Sequence, residues 1–192
     1  MLLLFYMSTG KILLIIIVAI VLWAIAVFNR LVRLRYRAKE ALSDIDVQTK
    51  RRYDLIPNLV ESVKGYIKHE KGVLENVTRA RTQAMSSSGT ALEKAKAEDA
   101  LSNTLRTLFA VAENYPNLKA NENFLELQRE LTDTEDKIQA ARRFYNNTVQ
   151  DLNTKIDSFP SNVIAGSFGF KRESFFETTS AAEREPVKVN FL

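Results

Sequence analysis

An uncharged apolar run near the N-terminus constrains this chain more than any other feature of its sequence. Ile12 to Phe28 reads ILLIIIVAIVLWAIAVF, without a charge, a glycine or a proline. As a helix, the 17 residues span about 26 Å, close to the bilayer hydrocarbon thickness of about 30 Å. Flanking side chains can close the remaining gap by snorkelling. We therefore expect a single transmembrane helix over residues 12–28.

The charges that flank the run predict its orientation. Only Lys11 precedes it, whereas five cations follow it closely: Arg30, Arg33, Arg35, Arg37 and Lys39. The positive-inside rule then places the C-terminal bulk in the cytoplasm. We expect the anchor itself to lie in the cytoplasmic (inner) membrane. The same five cations are the candidate contacts for anionic lipid headgroups. The competing interpretation is a cleaved signal peptide, since Ala24-Ile25-Ala26 has the A-x-A form of a cleavage site.

Residues 29–158 have helical periodicity almost throughout, which predicts an all-α fold. Turn signals at 86–90 and at Tyr115-Pro116-Asn117 divide them into segments, with a second helix over about 91–114 and a third over about 121–158. The third has an apolar seam at alternating steps of three and four, typical of a coiled coil, which it cannot bury alone. We predict a transmembrane helix followed by a long-helix antiparallel bundle of three to four helices, open to homo-oligomerisation.

Two features of this organisation stay open at the level of sequence. Pro57 either kinks a continuing helix or starts a new one. After residue 158 comes a third segment, 159–192, in which helix breakers alternate with phenylalanines next to Lys171 and Arg172. These phenylalanines either cover the open end of the bundle or contact the membrane interface or a partner. The residues from Ser180 on lack a helical period and predict a flexible or extended arm.

Composition excludes several kinds of chemistry. The chain has no cysteine and one histidine, so thiolate catalysis and Cys-ligated metals are excluded and a multi-histidine site needs a second chain. His69-Glu70 lacks the second histidine of a zinc protease motif, since Val73 occupies that position. All 23 acidic residues and all of the 27 basic ones but Lys11 follow residue 28, so the charges after the apolar run nearly balance. This argues against a nucleic-acid binder, which usually has a clear basic excess. We identify no catalytic, cofactor-binding or metal-binding residue.

The stretch from Asp46 to Asp54 interrupts the apolar stripe and places three cations in a row. It is either a solvated face, an intramolecular ion-pair network with acids of the third helix, or a contact surface for another protein. For the last alternative, the candidate residues are Lys50, Arg51, Arg52, Tyr53 and Asp54, together with Arg142 and Arg143. On that interpretation, charge reversal at Arg51 and Arg52 weakens assembly and leaves helicity near wild type.

Three motifs resemble those of a known family. The first is Ile45-Asp46-Val47-Gln48 followed by the run Lys50 to Val60 and by Val63-Lys64-Gly65-Tyr66; the second is Ala141-Arg142-Arg143-Phe144-Tyr145-Asn146; the third comprises Phe159-Pro160-Ser161-Asn162 and Phe168-Gly169-Phe170. Together they resemble the bacterial LemA family, as does the ending Val187 to Phe191. The resemblance implies a single-pass membrane protein with an all-helical body, and it implies no catalytic residues.

These observations favour a membrane-anchored helical scaffold of the bacterial envelope that self-assembles and is not an enzyme. Its expected partners are membrane lipid, further copies of the chain and other envelope membrane proteins, with no nucleic acid and no cofactor. The alternative is a membrane-surface module that binds or remodels lipid. A weaker alternative is an enzyme whose site is shared between subunits, for which replacement of His69 is the first test.

Overall fold

The computed structural model describes residues 9–67 and 69–176, and within these ranges every regular element is a helix. The helices are α1 (Thr9–Lys64), α2 (Lys71–Ser86), α3 (Ala91–Ala112), α4 (Pro116–Lys119), α5 (Glu122–Asp157) and α6 (Ser161–Ser167). The all-α prediction is confirmed. The arm predicted from Ser180 onward lies outside the described residues.

Local signals account for most of the helix ends. Thr90 begins α3 with a capping box, in which its hydroxyl accepts from the Glu93 amide and the Glu93 carboxylate accepts from the Thr90 amide. Asn121 caps α5 through its side-chain oxygen, which accepts from the amide of Phe124 at 3.0 Å. Both starts follow the turn signals in the sequence. The short helices α4 and α6 were not predicted, and α6 forms inside a segment that Pro160 and Gly166 were expected to break.

The described chain divides into two compact units. Unit 1 contains residues 9–40 and 147–173. In it the side chains from Ile12 to Ile25 are mostly exposed, and burial on α1 begins at Val27 and continues at Leu31, Leu34 and Ala38. Within the described ranges α1 is the one helix that is long and apolar enough to cross a membrane. The folded part of unit 1 therefore begins at the last residues of the apolar run, with no intervening linker.

Unit 2 is a helical bundle that contains residues 41–146 and 174–176 of the described chain. Its core collects aliphatic side chains from α1 to α5, including Leu59, Val77, Leu101, Leu108 and Leu131, each at most 3% exposed. The α5 seam predicted from the heptad pattern is buried at Phe124, Leu131 and Ile138. Burial of this apolar stripe against the other helices stabilises α5, which cannot cover its own apolar side chains.

Pro57 lies inside α1, so the helix neither ends nor restarts there. A proline has no amide hydrogen, which leaves the carbonyl four residues earlier, that of Tyr53, without its helical donor. The structure provides a substitute, since Nε of Arg81 on α2 donates to the Tyr53 carbonyl oxygen at 2.7 Å. The Arg81 side chain thus stabilises the interrupted turn and connects α2 to α1.

Because Arg81 replaces the amide that Pro57 lacks, the effects of changes at these two residues on the free energy of unfolding should depend on each other. Arg81→Met should lower the free energy of unfolding by about 1–3 kcal/mol, because it leaves the half-buried Tyr53 carbonyl without a donor. In a Pro57→Ala background the restored amide can satisfy that carbonyl, and the same Arg81 change should cost much less. A double-mutant cycle of urea unfolding on the full chain in detergent measures the difference. Equal costs in the two backgrounds would contradict this role of Arg81.

Candidate functional sites: a buried ion-pair cluster, exposed cations and an apolar groove

The guanidinium of Arg52 lies at the meeting point of three helices. Its side chain is 1% exposed and donates to Glu98 on α3 and to Glu135 on α5. Ser102 adds a second connection between Arg52 and Glu135, since its hydroxyl accepts from Arg52 at 2.9 Å and donates to Glu135 at 3.0 Å. A planar guanidinium with five donors suits such a site, because it can bind several acceptors at once. The cluster therefore ties α1, α3 and α5 together inside unit 2.

A second buried arginine extends the cluster. Arg142 on α5 is 4% exposed and donates to Asp99 on α3 at 2.8 Å. Tyr53 joins from α1 by donating its hydroxyl to Glu98. The Nε atoms of Arg52 and Arg142 and one oxygen of Asp99 have no hydrogen-bond partner in the described structure. The cluster thus holds two cations and three carboxylates in a largely buried volume, where removing one member leaves another uncompensated.

The pKa shifts reflect this burial. Burial lowers the pKa of Arg52 from its ordinary value, against the opposing attraction of Glu135, yet a guanidinium stays protonated at any working pH. Burial alone would raise the pKa of Glu135, but attraction to Arg52 and hydrogen bonds from Gln139 and Ser102 outweigh it, so this pKa falls below 4.5. Burial raises the pKa of Tyr53 above 10 and keeps its hydroxyl a donor.

A pH dependence follows from the lowered pKa of Glu135. The folded state binds this proton less tightly than the unfolded state, so the contribution of Glu135 to stability is present above pH 4.5 and is lost as the pH falls through the folded pKa. Unfolding of the wild type and of Glu135→Gln should be compared between about pH 7 and pH 3. The difference between the two free energies should shrink toward acid pH, and a difference that does not change with pH would contradict the assignment.

The outer cations of the predicted contact stretch are paired within the chain but remain exposed. Arg51 donates to Glu130 on α5 at 2.7 Å, which raises the pKa of this guanidinium above its ordinary value. Lys50 pairs with Asp54 at 2.6 Å. Arg143 is also exposed. Of the intramolecular alternatives for this stretch, the structure shows the ion-pair network with α5. Exposed pairs of this kind contribute little to stability and leave the side chains free to exchange partners.

The structure corrects the predicted contact surface at two positions. Arg52 and Arg142 are buried and bind acidic residues of their own chain, so their guanidinium groups are not on the surface. The physical reason is that both lie on the side of their helix that faces α3, where Glu98 and Asp99 neutralise them. Protein contact by Lys50, Arg51, Tyr53, Asp54 and Arg143 stays a prediction.

The motif at residues 141–146 holds a piece of extended chain. The Asn146 side chain accepts from the amide of Phe176 at 2.7 Å and donates to its carbonyl at 2.8 Å. The Tyr145 hydroxyl donates to the Ser174 carbonyl at 2.9 Å, and the Phe176 ring lies 5.3 Å from the Arg142 guanidinium. The first two sequence motifs therefore meet at one buried cluster, and the second also fixes residues 174–176.

All five cations of the predicted headgroup set are exposed in unit 1. Within the described residues none of them forms an ion pair, and Arg35 lies 5.4 Å from the centre of the Phe170 ring. Their exposure agrees with a role at a lipid surface, and headgroup binding itself stays a prediction.

Sequence analysis missed an apolar groove between the end of α1 and α2 in unit 2. Its volume is about 980 Å³, and its lining residues are Val60, Lys64, Ile67, Lys71, Leu74, Glu75, Thr78, Arg79 and Thr82. The apolar members Val60, Ile67 and Leu74 belong to the same stripe that forms the core, so a periodicity argument assigns them all to the interior. What opens the groove is the break between Lys64 and Lys71, where α1 ends and the chain reverses before α2.

Comparison of the sequence with known proteins identifies a family. The LemA family model matches residues 41–191, which contain all three sequence motifs. The chain belongs to the LemA family. Magnetosome protein MamQ 2 of Paramagnetospirillum magneticum is 24% identical to it, over 87% of this chain and 71% of that protein. Protein LemA of Metamycoplasma hominis is 27% identical, over 84% and 73% respectively.

A third relative, magnetosome protein MamQ of Magnetospirillum gryphiswaldense, is 23% identical over 81% of this chain and 66% of its own length. These LemA and MamQ relatives fit a helical membrane-associated protein, and in the part of the chain that the structure describes one helix, α1, is long and apolar enough to cross a membrane. The LemA family match begins at Ala41, the residue at which unit 2 begins.

Proposed function

We propose that this LemA-family chain is a membrane-anchored scaffold of the bacterial envelope that assembles with copies of itself and catalyses no reaction. Its anchor lies in the inner membrane, and its body is in the cytoplasm. The observation that supports assembly most is the open groove between α1 and α2, because an apolar groove with a basic rim can receive a helix of another protein.

Charge complementarity points to a second copy as the occupant of the groove. Three cations, Lys64, Lys71 and Arg79, line it, against the single acid Glu75. The exposed face of α5 between residues 122 and 137 is acidic on balance. It carries the four acids Glu122, Glu126, Asp133 and Asp136 against the two cations Arg129 and Lys137, and Lys137 pairs with Asp133. A helix face with a net negative charge fits a groove with a basic rim, because complementary potentials favour that pairing of surfaces over others.

The contact joins two different surfaces of the chain, so it is heterologous and repeats from copy to copy. Such contacts close into rings or continue as open arrays, depending on the rotation between neighbours. With every copy anchored in the same bilayer, assembly is confined to the membrane plane. A scaffold of this kind brings many copies of the same surface close together in the membrane, and it needs no reactive group to do so.

A charge-swap experiment tests the proposed contact. Lys71→Glu with Arg79→Glu in the groove should lower the mass of the detergent-extracted particle, and so should Glu126→Lys with Asp136→Lys on α5. The four changes combined should restore the mass, because the attraction is re-formed with reversed signs. All four side chains are exposed, so the core of unit 2 is left intact.

Two exposed cations serve as matched controls. Lys96→Glu, on α3 and outside the groove, should leave the particle mass unchanged. Arg143→Glu tests the surface predicted from the sequence. A lower particle mass for this variant, with no change for the Lys71 and Arg79 variant, would indicate that the contact lies at that surface and not in the groove. A monomeric wild-type particle, or a combined variant that fails to recover, would overturn the proposal.

A further inference from the structure

Unit 1 exposes an apolar surface close to the end of the anchor. Phe159, Val163 and Phe168 are 84%, 58% and 63% exposed, and they lie on and around α6. Bulky apolar side chains with such high exposure are costly in water when they occur together, and they usually mark a contact with lipid or protein. The question is which of these two covers them.

Two ring contacts determine where this surface lies relative to the bilayer. The Phe168 ring centre is 4.8 Å from that of Phe28, and the Phe170 ring centre is 5.8 Å from it. Phe28 is the last residue of the apolar run. The headgroup layer on each side of a bilayer is about 5–7 Å thick, so a ring in contact with the end of the anchor lies within or next to that layer.

The backbone at Gly169 makes this arrangement possible. Its φ is +68°, a left-handed conformation that residues with a Cβ rarely adopt. This turn lies between Phe168 and Phe170 and directs both rings toward Phe28. The two aromatic contacts with the anchor therefore depend on the third sequence motif, Phe168-Gly169-Phe170, to which the proposed scaffold contact assigns no role.

Cations surround these aromatic side chains. Arg35 lies above the Phe170 ring, Lys171 is exposed, and Arg30 and Arg33 are exposed on α1 between Phe28 and Arg35. Aromatic rings at the headgroup level, with basic residues beside them, characterise segments that lie in the membrane interface. A soluble partner would have to reach a surface that the anchor already holds at the bilayer.

We propose that α6 and its flanking residues Phe159 and Phe168 form an interfacial wedge, which inserts into the headgroup–acyl boundary of the same bilayer that holds the anchor. The ligand is the phospholipid leaflet, and Phe168 and Val163 are the side chains that enter it. Unit 1 thereby contacts the membrane at two places, the transmembrane helix and the wedge. This contact is independent of the groove in unit 2.

Depth-dependent fluorescence quenching tests the wedge in the full chain. Trp23 is the only tryptophan, so Trp23→Phe gives a background in which a single reporter can be placed. Phe168→Trp and, separately, Val163→Trp should show blue-shifted emission in vesicles of phosphatidylglycerol and phosphatidylcholine. Both should lose intensity when the lipids carry a quencher near the headgroup. Val47→Trp is the control, at an exposed α1 position 19 residues beyond Phe28, and should be neither shifted nor quenched.

The outcomes separate the alternatives. Blue-shifted emission without quenching by the labelled lipid would mean that protein covers the surface, and it would overturn the proposal. Emission at the position of water-exposed tryptophan at both sites would do the same. Because Phe168→Trp alters a ring that touches Phe28, the Val163 reporter keeps the test valid if the first variant misfolds. Quenching at Val47 equal to that at the wedge would also refute a specific insertion.

Discussion

Replacing Arg52 with Ala should lower the free energy of unfolding by about 3–5 kcal/mol, among the largest effects expected of any single polar substitution in this chain. The reason is not the loss of attraction alone. Removing the guanidinium leaves Glu98, which is 4% exposed, and Glu135 facing each other without a counter-charge. Urea unfolding of the full chain in detergent, followed by helical circular dichroism, measures the effect.

Arg51 provides the matched control, since it is the neighbouring arginine on the same helix and also pairs with a glutamate of α5. Its side chain is 46% exposed and that of Glu130 is 38% exposed. Solvent screens such a pair, so Arg51→Ala should change the free energy of unfolding far less than Arg52→Ala. Similar costs at the two positions would show that burial does not determine the strength of this cluster.

A variant that removes the buried cation and its buried counter-charges together tests whether charge balance stabilises the cluster. Arg52→Met combined with Glu98→Gln and Glu135→Gln removes both the cation and the charges it neutralises. Such a variant should recover part of the stability lost in Arg52→Ala, because an uncompensated buried charge costs more than a neutral polar group. No recovery would indicate that the geometry of the guanidinium, rather than charge balance, stabilises the junction of the three helices.

The cluster changes one expectation drawn from the sequence. Charge reversal at Arg51 and Arg52 was expected to weaken assembly without affecting helicity. At Arg52 the new carboxylate would lie against Glu98 and Glu135, so the body should unfold and assembly would be lost indirectly. Arg51→Glu alone remains a valid test of the surface, since that side chain is exposed.

Local pattern was enough to predict the long helices α3 and α5 and the α5 seam, but not the break between Lys64 and Lys71 or the short helices α4 and α6. The spacing of Phe124, Leu131 and Ile138 is a property of one helix, and all three are buried. The partners of Arg52 are not local, because Glu98 and Glu135 lie 46 and 83 residues away along the chain. Sequence alone offered an ion-pair network as one of three alternatives and had no means to decide which arginine was inside.

The phenylalanine-rich segment shows a second limit of sequence reasoning. Its sequence predicts one common role for the phenylalanines, either to cover the open end of the bundle or to contact the membrane interface or a partner. The structure separates its members: Phe176 is 3% exposed in unit 2, next to Tyr145 and Arg142, whereas Phe168 is 63% exposed in unit 1. The difference comes from contacts with Asn146 and with Phe28, and the identity of a phenylalanine does not reveal its neighbours.

The absence of cysteine from the sequence allows the orientation of the body to be measured directly. Ser88→Cys places a single thiol in the exposed connection between α2 and α3. If the body is cytoplasmic, a membrane-impermeant maleimide should leave this thiol almost unlabelled in intact spheroplasts and should label it fully after lysis. The expected change is close to all or none, because every copy has the same orientation. Strong labelling before lysis would place the body outside the cytoplasm.

The cause of that orientation can be tested in the same assay. Replacing Arg30, Arg33, Arg35, Arg37 and Lys39 with Gln removes the basic cluster that follows the anchor, and the labelled fraction before lysis should then rise. The matched control replaces Lys64, Lys71 and Arg79, which lie more than about 20 residues beyond the anchor, where charges have little influence on topology. If both sets behave alike, then something other than the flanking charges fixes the orientation. A rise confined to the first set would show that these five residues determine on which side of the membrane the body, with its groove and ion-pair cluster, is placed.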